Sequence, residues 1–272
     1  MSAGPAVIRF DTLEPSWAVK RATEPGFHRW LVSWLGGQDG TVNFNPGQAA
    51  QSRRAAMGFM AMPRGNRQAG VHVHSVAEIY VILKGEIEGF DHTGVPHRAG
   101  PFDCIHIPAG VPHGVRTVGG EDLHLVWVHD AIERLGVSQY LDAAAPDATT
   151  ERIRIVSVPD GGFAASGGGP AGRRVGYVGD GAGEVPNAGI RLGLHSLPSG
   201  AAGRFEAGGE SGGEVGASIL LNVGGVAVVR LADRTETLGY LDAVHLPPGT
   251  GATIWNSRDA PVRLLRLDER PD

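Results

Sequence analysis

Apolar residues in this chain fall into short β-branched and aromatic runs, each closed by glycine or proline, as expected for strands joined by turns. Phe27-His28-Arg29-Trp30-Leu31-Val32-Ser33-Trp34-Leu35 breaks at Gly36-Gly37, and Met57-Gly58-Phe59-Met60-Ala61-Met62 stops at Pro63-Arg64-Gly65. Ile79-Tyr80-Val81-Ile82-Leu83 ends at Lys84-Gly85, and Cys104-Ile105-His106-Ile107 ends at Pro108. From Glu121 to His129 the alternation puts Leu125, Trp127 and His129 on one face. The methionine and aromatic stripe at 57–62 reads as core packing. Asp130 to about Leu141 reads instead as a short helix or linker before Ala143-Ala144-Ala145-Pro146. A second half then opens with Arg152-Ile153-Arg154-Ile155-Val156-Ser157-Val158 as its first strand, so the expected domains are 1–148 and 149–272.

The second half repeats the first. Moved along by one fixed offset, Gly85, Gly100, Asp103, His106, Pro108 and Gly110 land on Gly224, Gly239, Asp242, His245, Pro247 and Gly249. Upstream, Met57-Gly58-Phe59-x2-Met62-Pro63-x-Gly65 parallels Leu192-Gly193-Leu194-x2-Leu197-Pro198-x-Gly200. Two copies of one β unit follow, with Gly110 and Gly249 at turns where a bulky side chain is expected to damage folding. The recurrence of His106 as His245 suggests a structural hydrogen bond for both rather than catalysis.

Composition narrows the class. The 272 residues include 42 glycines and 18 prolines, and only 19% are charged, which favours short strands and turns over long helices. A net charge of -5 gives no reason to expect nucleic acid as a partner. The single cysteine, Cys104, excludes a disulfide framework and fits a reducing compartment. The first residues show no cationic start followed by an apolar core, and no run approaches a membrane span. A cytoplasmic protein with no membrane partner is the expectation.

The chemistry concentrates in Val71 to His113. Strand alternation puts His72 and His74 on one face, and Glu78 keeps that parity if the strand resumes after an irregular Ser75-Val76-Ala77 segment; His113 follows the Pro108-Ala109-Gly110 turn. Three imidazoles and one carboxylate form a donor set for a divalent transition metal. The repeat offset carries these four positions to Ser211, Gly213, Ala217 and Ala252, so no ligand recurs in the second copy.

His72-x-His74-x3-Glu78-x6-Gly85 resembles the first signature of the cupin superfamily, and Asp103-x4-Pro108-x-Gly110-x2-His113 resembles the second. The sequence departs from the pattern at Phe102, where the family has glycine, and at Thr117, where it has asparagine. The resemblance implies an all-β fold of two double-stranded β-helix (jelly-roll) barrels in tandem, a metal-binding first barrel and a degenerate second one. It implies one divalent transition metal on His72, His74, Glu78 and His113, with iron leading and manganese, nickel or zinc as alternatives. Glu78 would also act as the catalytic base if it leaves the metal. Tyr80 and Trp127 on the barrel interior, and Arg64 in a loop near its mouth, are the candidate substrate contacts. The expected activity is a dioxygenase acting on a small enol, catechol or keto acid. Two alternatives stand beside it: non-redox isomerase, decarboxylase, lyase or hydrolase chemistry with the metal as Lewis acid, and a non-catalytic small-molecule binding module. The N-terminal arm of cupins often pairs with a neighbouring barrel, which allows a homodimer here.

Overall fold

A computed structural model describes residues 4–38, 40–91, 93–133, 139–140, 150–158, 173–208 and 216–270. Among these, regular structure is almost entirely strand, with one three-residue 3-10 turn at Phe10–Thr12. The chain is an all-β protein made of two compact units, Leu13–Ser157 and Met1–Thr12 joined with Val158–Asp272.

In the first unit a seven-stranded sheet centres on Glu78–Lys84, Leu123–His129 and Ala56–Met62, and a five-stranded sheet carries His72–Val73 and His113–Val118. Glu78–Lys84 is rich in β-branched and aromatic residues and buried over all but its last position, which suits a central strand. The core lies between the sheets: Met60, Tyr80, Leu125 and Trp127 from the larger one pack with Ile87 and Val115 from the smaller. The second unit repeats this plan with a seven-stranded and a four-stranded sheet around Leu220, Leu264, Val229 and Ile254.

The strand at Arg154–Val156 does not open the second barrel. It pairs with Cys104–Ile107 of the first, and Ala6–Ile8 pairs with Ala243–Leu246 of the second. Each half therefore completes the other unit's sheet with its leading strand, so the compact units divide near Ser157 rather than at 148/149 and the N-terminal residues belong to the second. The arm strand, Trp30–Gly37, is spent within its own unit, antiparallel to Ala56–Met62. Where a helix or linker was expected after Asp130, residues 130–133 hold no helix and Gln139–Tyr140 pair with His72–Val73. Residues 134–138 and 141–149, including Ala143 to Pro146, lie outside the described residues, as do Ser211 and Gly213.

Strand pairing also moves the repeat by one residue ahead of the Gly85 turn. Gly85 has φ 74° and Gly225 has φ 77°, and an added Cβ would meet a backbone oxygen at 2.6 Å (Asp122) or 2.7 Å (Pro261). Gly225, not Gly224, is therefore the twin of Gly85. By the same pairing Glu78, opposite His129, matches Ser218, opposite Asp268, rather than Ala217.

Candidate metal centre

The two sheets bring the donors together. His113 lies directly opposite His72 in the five-stranded sheet, while Glu78 opens a strand of the seven-stranded sheet opposite His129. His74 sits in the link between them, where Ser75 and Ala77 turn the chain. That link is pinned by carboxylates from beyond the last barrel strand: Asp130 accepts from Ala77 N at 2.8 Å, and Glu133 accepts from Ser75 N at 2.9 Å and from the Ser75 hydroxyl.

His72, His74, Glu78 and His113 are all buried, and one donor atom from each lies within 4.8 Å of the others. Glu78 Oε2 is 2.9 Å from His113 Nε2 and 3.3 Å from His74 Nε2. His113 Nδ1 donates to the Val111 carbonyl at 2.8 Å, which fixes the ring with Nε2 towards the carboxylate. Neither nitrogen of His74 makes a hydrogen bond of acceptable geometry, although both are buried. The set therefore suits a divalent transition metal.

The electrostatics agree. Burial pushes His74 down, but Glu78 and Glu133 outweigh it and push the ring up to about 9. Burial pushes Glu78 up, yet His74 and then the other imidazoles hold its carboxyl well below the usual range. His72 is held well below the usual histidine value by burial and by His113.

A second group of donors, His74, His129 and Glu133, shares His74 with the first. Glu133 Oε2 is 3.3 Å from His74 Nδ1, on the ring edge away from Glu78. That is the position of a carboxylate that orients a metal-binding imidazole. His129 places Nε2 3.5 Å from Glu78 Oε1, and its buried Nδ1 has no hydrogen bond.

His72, His74 and Glu78 line a small cavity of about 40 Å³ whose other walls are mostly apolar side chains. Tyr80 and Trp127 both line it, as their strand parity predicts. The Tyr80 hydroxyl accepts from Gln68 Nε2 at 3.3 Å, and the Trp127 indole donates to Phe59 O at 3.3 Å while meeting Phe44 edge-on at 5.7 Å. Arg64 is elsewhere: it is exposed, its backbone N–H is bound by Asp122, and it does not line the cavity. The cation in the wall is Arg29, from the arm, which sequence reading passed over because nothing near it in the chain suggests a site. His106 Nδ1 and His245 Nε2 are buried without a hydrogen-bond partner. Both lie opposite the exchanged strands, facing Arg154 and Ala6 in register.

In the second unit the matching interior is filled by side chains that satisfy one another. Ser218 and Asp268 stand where Glu78 and His129 do, and Arg266, opposite Gly193, matches Trp127, opposite Gly58. Ser218 Oγ and Arg266 Nε donate to Asp268 Oδ1 at 2.5 and 2.7 Å, and Arg266 Nη2 donates to Glu206 O at 2.7 Å. Ala252 takes the place of His113 and is buried in the core.

The sequence profile of the cupin domain matches residues 58–129. Dimethylsulfoniopropionate lyase DddQ of Ruegeria pomeroyi is 38% identical over 69 residues, a match covering 25% of this chain and only 34% of the lyase. Salicylate 1,2-dioxygenase of Pseudoaminobacter salicylatoxidans has a similar fold, with TM-score 0.65 at 17% identity over 97% of this chain and 81% of the dioxygenase. Oxalate decarboxylase OxdC of Bacillus subtilis gives TM-score 0.63 at 15% identity, over 99% and 78% of the two chains. The profile spans both signature segments of the first barrel, so residues 58–129 form a cupin domain, and the likeness of fold extends over nearly the whole chain.

Proposed function

We propose that the first barrel is a metal-dependent enzyme site for a small oxygenated organic substrate, with dioxygenation of an enol, catechol or keto acid as the leading reaction. One observation carries the reading: three of the four donors, His72, His74 and Glu78, line a cavity. Structural metal sites are closed by their ligands, whereas catalytic ones keep an open face. A divalent metal on His72, His74, Glu78 and His113 would supply Lewis acidity to a substrate oxygen and, as iron, the redox couple needed with dioxygen.

The chain's own groups supply the rest. Glu78 is the carboxylate within reach of a substrate proton, and His129, 3.5 Å from it, is placed to pass that proton on. Tyr80, held by Gln68, offers a hydroxyl to a substrate oxygen. The apolar walls, including Leu31, Met60 and Trp127, keep water from the reacting atoms.

Lyase chemistry is the second reading, favoured by the local similarity to dimethylsulfoniopropionate lyase. There Glu78 or Tyr80 would take a proton from carbon while the leaving group departs, with no oxygen consumed. Elemental analysis of the purified protein, followed by turnover of a panel of enols, catechols, keto acids and β-substituted carboxylates with and without oxygen, separates the two. Iron with substrate-dependent oxygen uptake supports dioxygenation. Turnover that is unchanged without oxygen supports elimination. Tight metal with no turnover of any member of the panel would leave a binding module in place of an enzyme.

A further inference from the structure

At about 40 Å³ the cavity beside the metal donors has room for a few waters, well short of the roughly 150 Å³ that encloses a benzene ring. Space for an organic substrate must come from a wall that yields. Met60, Tyr80 and Trp127 sit on inner strands bonded to neighbours on both sides, so that wall is fixed. Val42 and Phe44 line the same cavity from residues 41–44, which belong to no strand. Val42 has φ 48°, a left-handed conformation that a β-branched residue rarely adopts and that costs free energy to hold. The segment is tied at its ends: Gly37 N donates to Thr41 O at 2.9 Å, and the buried Asn45 accepts from Ser33 N at 2.8 Å and donates to Glu14 O at 3.0 Å. Between the ties Asn43 rests on Gly36, where an added Cβ would lie 2.5 Å from Asn43 Cβ and 2.9 Å from its Cα. Gly36 is not left-handed, so only the approach of Asn43 makes a side chain costly there.

We propose that residues 41–44 are the movable wall of this cavity, that substrate enters by displacing Val42 and Phe44, and that these two side chains set the largest substrate the site takes. Strain at Val42 favours displacement, because the backbone relaxes once the segment leaves. Burial of Val42 and the edge-on contact of Phe44 with Trp127 favour return. Opposed in this way, the wall is held weakly and opens without unfolding the barrel. Since Gly37 and Asn45 tie the ends of the segment, the wall yields by little more than the width of the two side chains, which limits the site to compact substrates of one ring or less. The inference rests on the proposed small-molecule site and names what limits its substrate.

The chain has one cysteine, the buried Cys104, so in full-length Val42→Cys the new thiol can be timed against it in the same molecule with a small aromatic disulfide reagent. Without denaturant the thiol at position 42 should react about 100-fold or more faster than Cys104, since local opening exposes the first and only wider unfolding the second. Equal rates overturn the inference. Gly36→Ala, added to that protein, wedges a Cβ under Asn43 and should raise the rate at position 42 by about tenfold while that of Cys104 stays the same. A folded double variant with no rise overturns it too, and if the wedge prevents folding the first comparison decides. Size is read with cobalt bound, the visible spectrum reporting entry of azide, imidazole and 2-methylimidazole. Phe44→Ala should shift affinity toward the rings over azide by about tenfold or more, and Val42→Ala in the same direction by less. An unchanged ratio in both variants defeats the size limit. If the protein takes up no metal, the enzyme reading fails, while the two thiol rates still decide whether the wall moves.

Discussion

His74 carries the heaviest load of any single side chain, with Glu78 at one ring nitrogen and Glu133 at the other. Glu133→Gln keeps the shape and an acceptor for Ser75 but loses the charge beside Nδ1. It should weaken metal affinity by about 10- to 100-fold, read by competition with a chelator, with the fold intact; unchanged affinity would remove Glu133 from the site. His113→Ala should lower metal occupancy strongly while the far-ultraviolet dichroism stays that of the wild type, because the second barrel packs Ala252 at the same position. Metal loss seen only together with unfolding would contradict this. At this scale the sequence named the four clustered donors and two cavity residues, since fixed spacing on strands carries that information. Arg64 and Arg29 show where it stops. Both are arginines near apolar runs, and only long-range pairing of the arm with Ala56–Met62 puts one inside and leaves the other outside.

Turns show what the two barrels share. Gly100 N and Gly239 N are each capped by the aspartate three residues on, Asp103 and Asp242, at 2.9 Å. Between them, Phe102 and Leu241 both take φ 68° and donate to Ile82 O and Asn222 O at 2.7 Å. The departure from glycine at 102 is thus repeated at 241, and each barrel bears the left-handed strain of about 1–2 kcal/mol there. Gly110 and Gly249 also have positive φ, but a Cβ on either would meet nothing within 4 Å, so the expected steric damage reduces to conformational strain. Gly85 combines positive φ with a Cβ position 2.6 Å from Asp122 O. Gly85→Ala should therefore destabilise the protein clearly more than Gly110→Ala, whose cost is about 1–2 kcal/mol, in denaturant unfolding. Equal losses would show that the close approach at Gly85 relaxes freely.

Across the whole molecule, the leading strands are exchanged between the two units, and the N-terminal one is clamped. Arg9 reaches Asp242 at 2.8 Å and Glu236 at 2.5 Å, and Phe10 N donates to Asp242 at 3.0 Å. Removing residues 1–12 should raise hydrogen exchange in Ala243–Leu246 and leave Cys104–Ile107 protected, because the latter pairs with Arg154–Val156. Loss of protection at both would refute the separate roles. The clamp should also respond to acid. Arg234 first, and then Arg9, hold the Glu236 carboxyl below its usual value. A lowered folded value stabilises above the unfolded one, so the contribution is complete above about pH 4.3 and fades as pH falls through the lowered value. Protection of the Ala6–Ile8 amides, relative to their intrinsic exchange rates at each pH, should fall over that acid range in the wild type, and Glu236→Gln should flatten the fall.

The chain's own order of residues determined the strand content, the existence of two copies and the donor set of only one of them, because each is written in spacing over a few residues or in identity at a fixed offset. Tertiary structure alone decided the rest. Which barrel a leading strand completes, which arginine lines the cavity, and that Glu133 stands behind His74 all depend on contacts between segments far apart in the chain. Even the register of the repeat, Gly225 and Ser218 in place of Gly224 and Ala217, became fixed only when hydrogen-bonded neighbours set it.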